Sequence, residues 1–436
     1  MNRTLYSLLV YLALPVIFCR LLWRSRSTPA YRQRLVERFA VRFPVLKTNG
    51  IWIHAVSVGE SIAVAPLVRA LQARYPDCPI TITGMTPTGS ERIQALFGSS
   101  VQHCYLPYDT PWAAKRFLKR VQPRLAIMME TELWPNYINQ CHHQGIPCTL
   151  VNARLSARSA RGYARFSALT RPMFAQLDWV AVQTETEARR FRFLGVSPKH
   201  ITVTGSVKFD QRIDPAIPPE AKELRTAWHA EDRPIWIAAS THEGEDLPLL
   251  QIQRRLLAKL PDALLILVPR HPERFASVSQ LCLAEGFNLI QRSSKQPVTP
   301  KHQVLLVDSM GELPLFYALA DVAFVGGSLI PHGGHNLLEP AALKLPILTG
   351  PHLFNFLEIA RQLHQAGALD QVANAKALYE KLLRLLQNPE RRQQMGQAGL
   401  NVLRNNQGAL SRVLIGLKRW LEPRAQSSAK LEAQEA

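Results

Sequence analysis

Acidic residues are scarce in this chain. Asp and Glu number 33 against 52 Lys and Arg, a formal net charge of +19 over 436 residues. A balance this basic calls for an anionic partner: nucleic acid, a phospholipid surface or a phosphorylated substrate. Cysteine is sparse as well. Cys19, Cys78, Cys104, Cys141, Cys148 and Cys282 are scattered, with no CxxC pair. That spacing excludes a disulfide framework and a common zinc module, and reads as reduced thiols in a reducing compartment. No GxGxxG and no Walker loop is present, which argues against a dinucleotide enzyme or a P-loop NTPase. Aromatic and basic residues do not interleave on a recognisable module, so nucleic acid is not the expected partner. Low-complexity segments and internal repeats do not stand out. Charged residues make up only 19% and apolar ones 47%, enough to fill two cores, and a chain this long divides into two domains.

Long apolar runs are missing except at the N-terminus. LYSLLVYLALPVIFC, Leu5 to Cys19, extends through Leu21, Leu22 and Trp23 to near the length of a spanning helix. No small-x-small cleavage site follows it. Arg20, Arg24, Arg26, Arg32 and Arg34 follow the apolar run, which keeps the bulk of the chain cytoplasmic. A helix lying in the membrane interface is the alternative.

Beyond residue 25, short apolar strands alternate with helical stretches. GIWIHAVS, ITITG, RLAIMME, IPCTLVNA, DWVAVQ and ITVTGSVKF form one series. PIWIAAS, ALLILVPRH, NLIQR, VLLVDS, DVAFVGGS and LPILTG form another. Such alternation predicts parallel sheets covered on both faces. The expected architecture is α/β: two doubly wound, Rossmann-like domains facing across a cleft, behind an anchor helix at 1–25. The first domain is expected at 26–210, a proline-rich linker at 211–219 and the second domain at 220–425 with the C-terminal helices. A disordered tail is expected at 426–436.

Ligands of doubly wound sheets sit at the carboxyl ends of the strands, and several polar residues fall there. Glu60, in HAVSVGES, opens the first helix, where Gly59 allows close approach and the helix terminus favours an ionised carboxylate fit to act as a base. An acid in a first turn equally serves only the macrodipole. Pro66 should kink this helix or delay its start. In METELWPN, Glu130 lies nearest the strand end, and Glu132 is a candidate cap for the next helix. Lys208, in GSVKFD, is a candidate partner for phosphate charge, or plain surface. Arg154, Arg158, Arg161 and Arg165 are spaced to make one basic helical stripe, either a solvated face or a contact for phosphates.

In the second half, GGSLIPHGGHNLLEPAA joins two glycine turns to a helix expected to start near His335 or Asn336. Free amide groups there would hold an anion, and Glu339 would accept ribose hydroxyls. His335 and Glu339, at i and i+4, have no third metal ligand nearby, so no metal is expected. Pro269, Arg270 and His271 suit a phosphate clamp. Met310, Gly311 and Glu312 suit backbone contacts to a base, and Ser240 and Thr241 close another strand. Together these strand ends indicate a nucleotide pocket.

HAVSVGE, METELWPN, GSVKFD, VPRHPERF, DSMGEL, GGHNLLEPAA and TGPHLFNF together resemble the bacterial 3-deoxy-D-manno-octulosonic acid (Kdo) transferases, from the N-terminus to near residue 420. The resemblance implies the GT-B glycosyltransferase fold, CMP-Kdo as donor and a lipid A precursor, lipid IVA, as acceptor in lipopolysaccharide core assembly. It implies Glu60 as general base, with Glu130 and Lys208 stabilising the transition state of an inverting displacement. CMP would contact Pro269, Arg270, Met310, Gly311, Glu312, Asn336, Leu337, Leu338 and Glu339. No cofactor and no nucleic acid enter this picture. The anionic inner membrane surface does, with the protein on its cytoplasmic face. Another GT-B enzyme using a UDP-sugar is the alternative.

Overall fold

The computed structural model describes residues 1–26, 28–210 and 213–422, except for the side chain of Val58. The expected disordered tail, 426–436, lies outside the described residues. Two compact units emerge. One comprises Met1–Asp210 and the chain from Gln407 onward; the other is Gln211–Asn406.

In the first unit, seven strands form an all-parallel sheet: β1 (Ile51–His54), β2 (Ile80–Gly84), β3 (Gln102–Tyr105), β4 (Leu125–Met129), β5 (Cys148–Ala153), β6 (Trp179–Val182) and β7 (Ile201–Val203). Their spatial order is β3-β2-β1-β4-β5-β6-β7. The strands read as continuous apolar runs because both faces are covered. Successive side chains point to opposite faces. Trp52, Ala126, Met128 and Leu150 enter one buried core, while Ile51, Ile53, Ile127 and Val151 enter the other.

The second unit repeats the plan with β8 (Ile235–Thr241), β9 (Leu264–Pro269), β10 (Leu289–Gln291), β11 (Val304–Leu306), β12 (Val322–Val325), β13 (Ile347–Thr349) and β14 (Leu369–Gln371), in the order β10-β11-β9-β8-β12-β13-β14. Here too the alternation splits the strands between cores: Trp236, Ala238 and Leu265 on one face, Ile235, Ile237 and Leu264 on the other.

Four local expectations are corrected. The helix Val58–Arg74 runs through Pro66 without ending there. The expected linker is shorter, since residues 217–219 already form the first turn of the helix Ile217–Ala227, where prolines are well tolerated. The expected basic stripe is broken: the helix spans Ala157–Arg165 and leaves Arg154 outside it. The last helix, Ala409–Leu421, belongs to the first unit, not the second. Val413, Leu417 and Leu421 sink into the core that holds Ile53. Gly416 lies so close to Trp179 that a Cβ there would come within 2.3 Å of its ring. Asp210 caps this helix, accepting from the amides of Gly408 (2.6 Å) and Leu410 (2.5 Å).

The N-terminal helix, Arg3–Arg24, is long and apolar enough to cross a membrane. Leu8, Leu9, Leu12, Val16 and Trp23 are exposed along it. Its N-terminal turns are tied to the first unit, where Tyr6 donates to Asp109 at 3.0 Å and Ser7 to Asn136 at 3.1 Å.

Candidate active site

The strand order of the first sheet reverses at β1, which has β2 on one side and β4 on the other. The crevice at such a switch point is where doubly wound folds bind ligands. Glu60 follows β1 and Glu130 follows β4. Ser57 caps the helix after β1, accepting from the Glu60 amide at 3.4 Å. The Glu60 carboxylate turns back on the same loop. Its Oε2 accepts from the Val56 amide (2.8 Å) and its Oε1 from the Ser57 hydroxyl (2.9 Å). These bonds fix the carboxylate in one orientation, but they do not keep it fully ionised. Burial pushes its pKa up to about 7; the Val56 amide opposes this, Glu132 adds to it, the Ser57 hydroxyl opposes it and Glu130 adds to it. The helix terminus therefore loses to desolvation, contrary to the expectation of an ordinary carboxylate.

Glu130 takes a left-handed backbone conformation, φ +54°, one a glutamate adopts at a cost of about 1–3 kcal/mol. Strain of that kind persists where surroundings over-determine it, and here they do. Glu130 is buried, with Oε1 2.9 Å from Lys208 Nζ and Oε2 2.7 Å from Arg154 Nε. Lys208 sits in a short turn, Val207–Asp210, pinned by the Val207 amide donating to Asn152 Oδ1 at 3.2 Å. The fold thus gathers Glu60, Glu130 and Lys208 in one unit and adds Arg154. The sequence pattern had placed Arg154 on a stripe; Arg158, Arg161 and Arg165 stay on the helix and face solvent. Glu132 does not cap the helix Pro135–His143. Asp109 fills that place, its carboxylate accepting from the amides of Asn136 and Tyr137 at 3.1 Å each. Burial holds Asp109 up at about 6.

In the second unit the order reverses at β8, flanked by β9 and β12. Pro269 closes β9, and the Arg270 amide donates to the Thr241 carbonyl at 3.0 Å, leaving its side chain part-exposed. Met310 is exposed beside Gly311, whose φ of +93° suits glycine. Glu312 is clamped by Arg292 (2.8 Å) and by the Ser309 hydroxyl, and the Arg292 hydrogen bond holds its carboxyl below the usual range. Asn336 donates from Nδ2 to Glu339 Oε1 at 3.0 Å and accepts from the Leu338 amide at 3.1 Å. Leu337 and Leu338 are buried, so ligands could meet them only through backbone.

The amides of the glycine turns are not free. The helix begins at Leu338, not at His335 or Asn336, and has five residues. The Gly333 and Gly334 amides donate to the Gly327 carbonyl at 3.1 and 2.8 Å. The amides of Gly327, Ser328 and Leu329 donate to the Glu245 carboxylate at 2.7, 3.1 and 3.0 Å, joined by the His242 amide at 3.0 Å. The anion in this nest is therefore the protein's own fully buried Glu245. Sequence reading missed it, since an acid 82 positions away gives no local signal. The same geometry brings His242 Nε2 to 2.8 Å from His335 Nε2. Burial first, then neighbouring imidazoles and arginines, push these rings down to about 4 and about 3, so both are neutral at pH 7.

Residues 33–211 match the model of the 3-Deoxy-D-manno-octulosonic-acid transferase (kdotransferase) family, and residues 232–402 match Glycosyl transferases group 1. The chain is 48% identical to a 3-deoxy-D-manno-octulosonic acid transferase of Haemophilus influenzae, over 97% of this chain and 99% of that one. It is 37% identical to the enzyme of the same name from Bordetella pertussis, over 97% and 100%. Among solved structures, a UDP-GlcNAc 2-epimerase from Neisseria meningitidis shares the fold at TM-score 0.55 and 15% identity, covering 85% of this chain and 99% of that one.

Proposed function

Because the chain belongs to the 3-deoxy-D-manno-octulosonic acid transferase family and is a glycosyltransferase of two parallel α/β units, we propose that it moves Kdo from CMP-Kdo to lipid IVA with inversion at the anomeric carbon. One observation carries the assignment of roles. A buried carboxylate, held by two hydrogen bonds and half-protonated near pH 7, stands at the switch point beside the Glu130–Lys208 pair. A base works best with its pKa near the working pH. Glu60 takes the proton of the acceptor hydroxyl as that oxygen bonds to the anomeric carbon. The bond from that carbon to the phosphate oxygen breaks, and CMP leaves with the electron pair. Lys208 and Arg154, aimed by Glu130, present positive charge to the negative charge that develops; a preorganised contact of this kind contributes about 3–4 kcal/mol.

The donor nucleotide is assigned to Pro269 and Arg270, Met310 to Glu312, and Asn336 to Glu339. The loss of free amides at the glycine turns shifts the phosphate load onto Arg270 and its neighbours. The apolar N-terminal helix and the exposed Arg158, Arg161 and Arg165 suit the anionic cytoplasmic face of the inner membrane, where the acceptor resides. Incubation with CMP-Kdo and a tetraacylated disaccharide bisphosphate, followed by mass spectrometry of the lipid, tests the reading. Kdo addition is expected with CMP release, and Glu60→Gln should abolish it. Transfer from a UDP-sugar instead, or near-normal turnover by Glu60→Gln, would refute it.

A further inference from the structure

We infer that His242, His332 and His335 form a binding site for a divalent transition metal ion of the zinc type, a property beyond the transfer chemistry assigned above. One ring nitrogen from each lies within 4.8 Å of those of the other two. His242 and His335 have parallel rings, 4° apart, with Nε2 facing Nε2 at 2.8 Å. Two ring nitrogens that close cannot both carry a proton, so the geometry itself demands an unprotonated imidazole, the form that binds metal. The His332 ring lies 3.9 Å from that of His242, centroid to centroid. Zn–N bonds of about 2.0–2.1 Å in a tetrahedron put ligand nitrogens roughly 3.4 Å apart. Closing the set needs a movement on the order of an ångström, and His332, exposed, is free to make it.

The frame around the rings is built to hold them. Glu245 fixes the backbone of His242 and of residues 327–329 together through four amides. Gly327 lacks the Cβ that would stand 3.1 Å from the His335 ring. Asn355 Nδ2 donates to the His332 carbonyl at 3.1 Å. Three imidazoles without an acid or thiolate favour zinc, cobalt, nickel or copper over magnesium and calcium. They leave a fourth position open to water or an anionic oxygen, as three-ligand sites do. Chain separation hid the set: the sequence showed no third ligand near His335 and Glu339, whereas His242 lies 93 positions from His335 and Glu339 is bound to Asn336.

The test uses full-length, tag-free protein in detergent, stripped with a chelator and titrated with Co2+. One equivalent per chain should produce the visible ligand-field bands of a tetrahedral site, and Zn2+ should displace it. His332→Ala and His335→Ala should each weaken Zn2+ binding at least ~100-fold. Zn2+ should raise the melting temperature of the parent protein and not that of the variants. Because His332 is exposed, its variant keeps the fold, which the metal-free melting temperature checks. No stoichiometric cobalt band, or binding unchanged in His332→Ala, overturns the site. Either result leaves the transferase reading standing, since the readout is metal binding alone.

Discussion

Burial sets the pH at which Glu60 can work, and the Ser57 hydroxyl is one of two donors that oppose it. That hydroxyl donates to Oε1 at 2.9 Å and so favours the ionised carboxylate against the burial that raises its pKa to about 7. With that pKa, the ionised fraction climbs roughly tenfold between pH 6 and pH 8, and kcat/KM should climb with it. Ser57→Ala removes one hydrogen bond to a charged group, about 1.5–3 kcal/mol, or roughly one to two pH units. The midpoint should move to about 8 or above, and activity at pH 7 should fall roughly five- to fiftyfold while the alkaline plateau survives. The assay is initial-rate Kdo transfer with acceptor held well below its KM across pH 5.5–9.5, with melting temperature followed at each pH to remove the separate cost of the lost cap. A parent profile flat from pH 6 to 8, or a midpoint unmoved in the variant, would refute both the base and its tuning.

Glu60→Gln should stabilise the protein in alkali. The folded pKa lies above the unfolded one, so the group favours the fold below about 4.5 and loses that contribution as pH rises through about 7. The variant should therefore melt higher than the parent at pH 8, by up to roughly 3 kcal/mol, and not at pH 4.5. Lys208→Ala should lower kcat by about 10²–10³, and adding Glu130→Ala should cost far less than the sum, because the two side chains act as a unit. Denaturant melts of Glu245→Gln should show a loss of at least about 2 kcal/mol, since an amide N–H2 replaces an acceptor facing buried backbone donors.

The doubly wound pattern was legible because buried parallel strands are uninterrupted apolar runs, and GIWIHAVS or PIWIAAS can hardly be read otherwise. Two strands escaped notice. Gln102–Tyr105 and Leu369–Gln371 lie at sheet edges, where part of each strand stays exposed and polar residues are admitted. Glu60, Glu130 and Lys208 could be singled out as candidates because each follows a strand, and the end of a strand is visible in sequence. Arg154 was visible but misassigned; its helix starts three residues later, so spacing alone gave the wrong face. Glu245, Asp109 and the three imidazoles depend on contacts between distant segments, and no local pattern reports those.

The closing helix has a bearing on how the molecule comes into being. Asp210, where the chain departs the first unit, grips Gly408 and Leu410, where it comes home. The half begun earliest on the ribosome is thus finished last, its seat beside Trp179 vacant until almost the whole polypeptide has emerged. A single protease nick near residue 211 would not release the other half either, for the returning thread still tethers it.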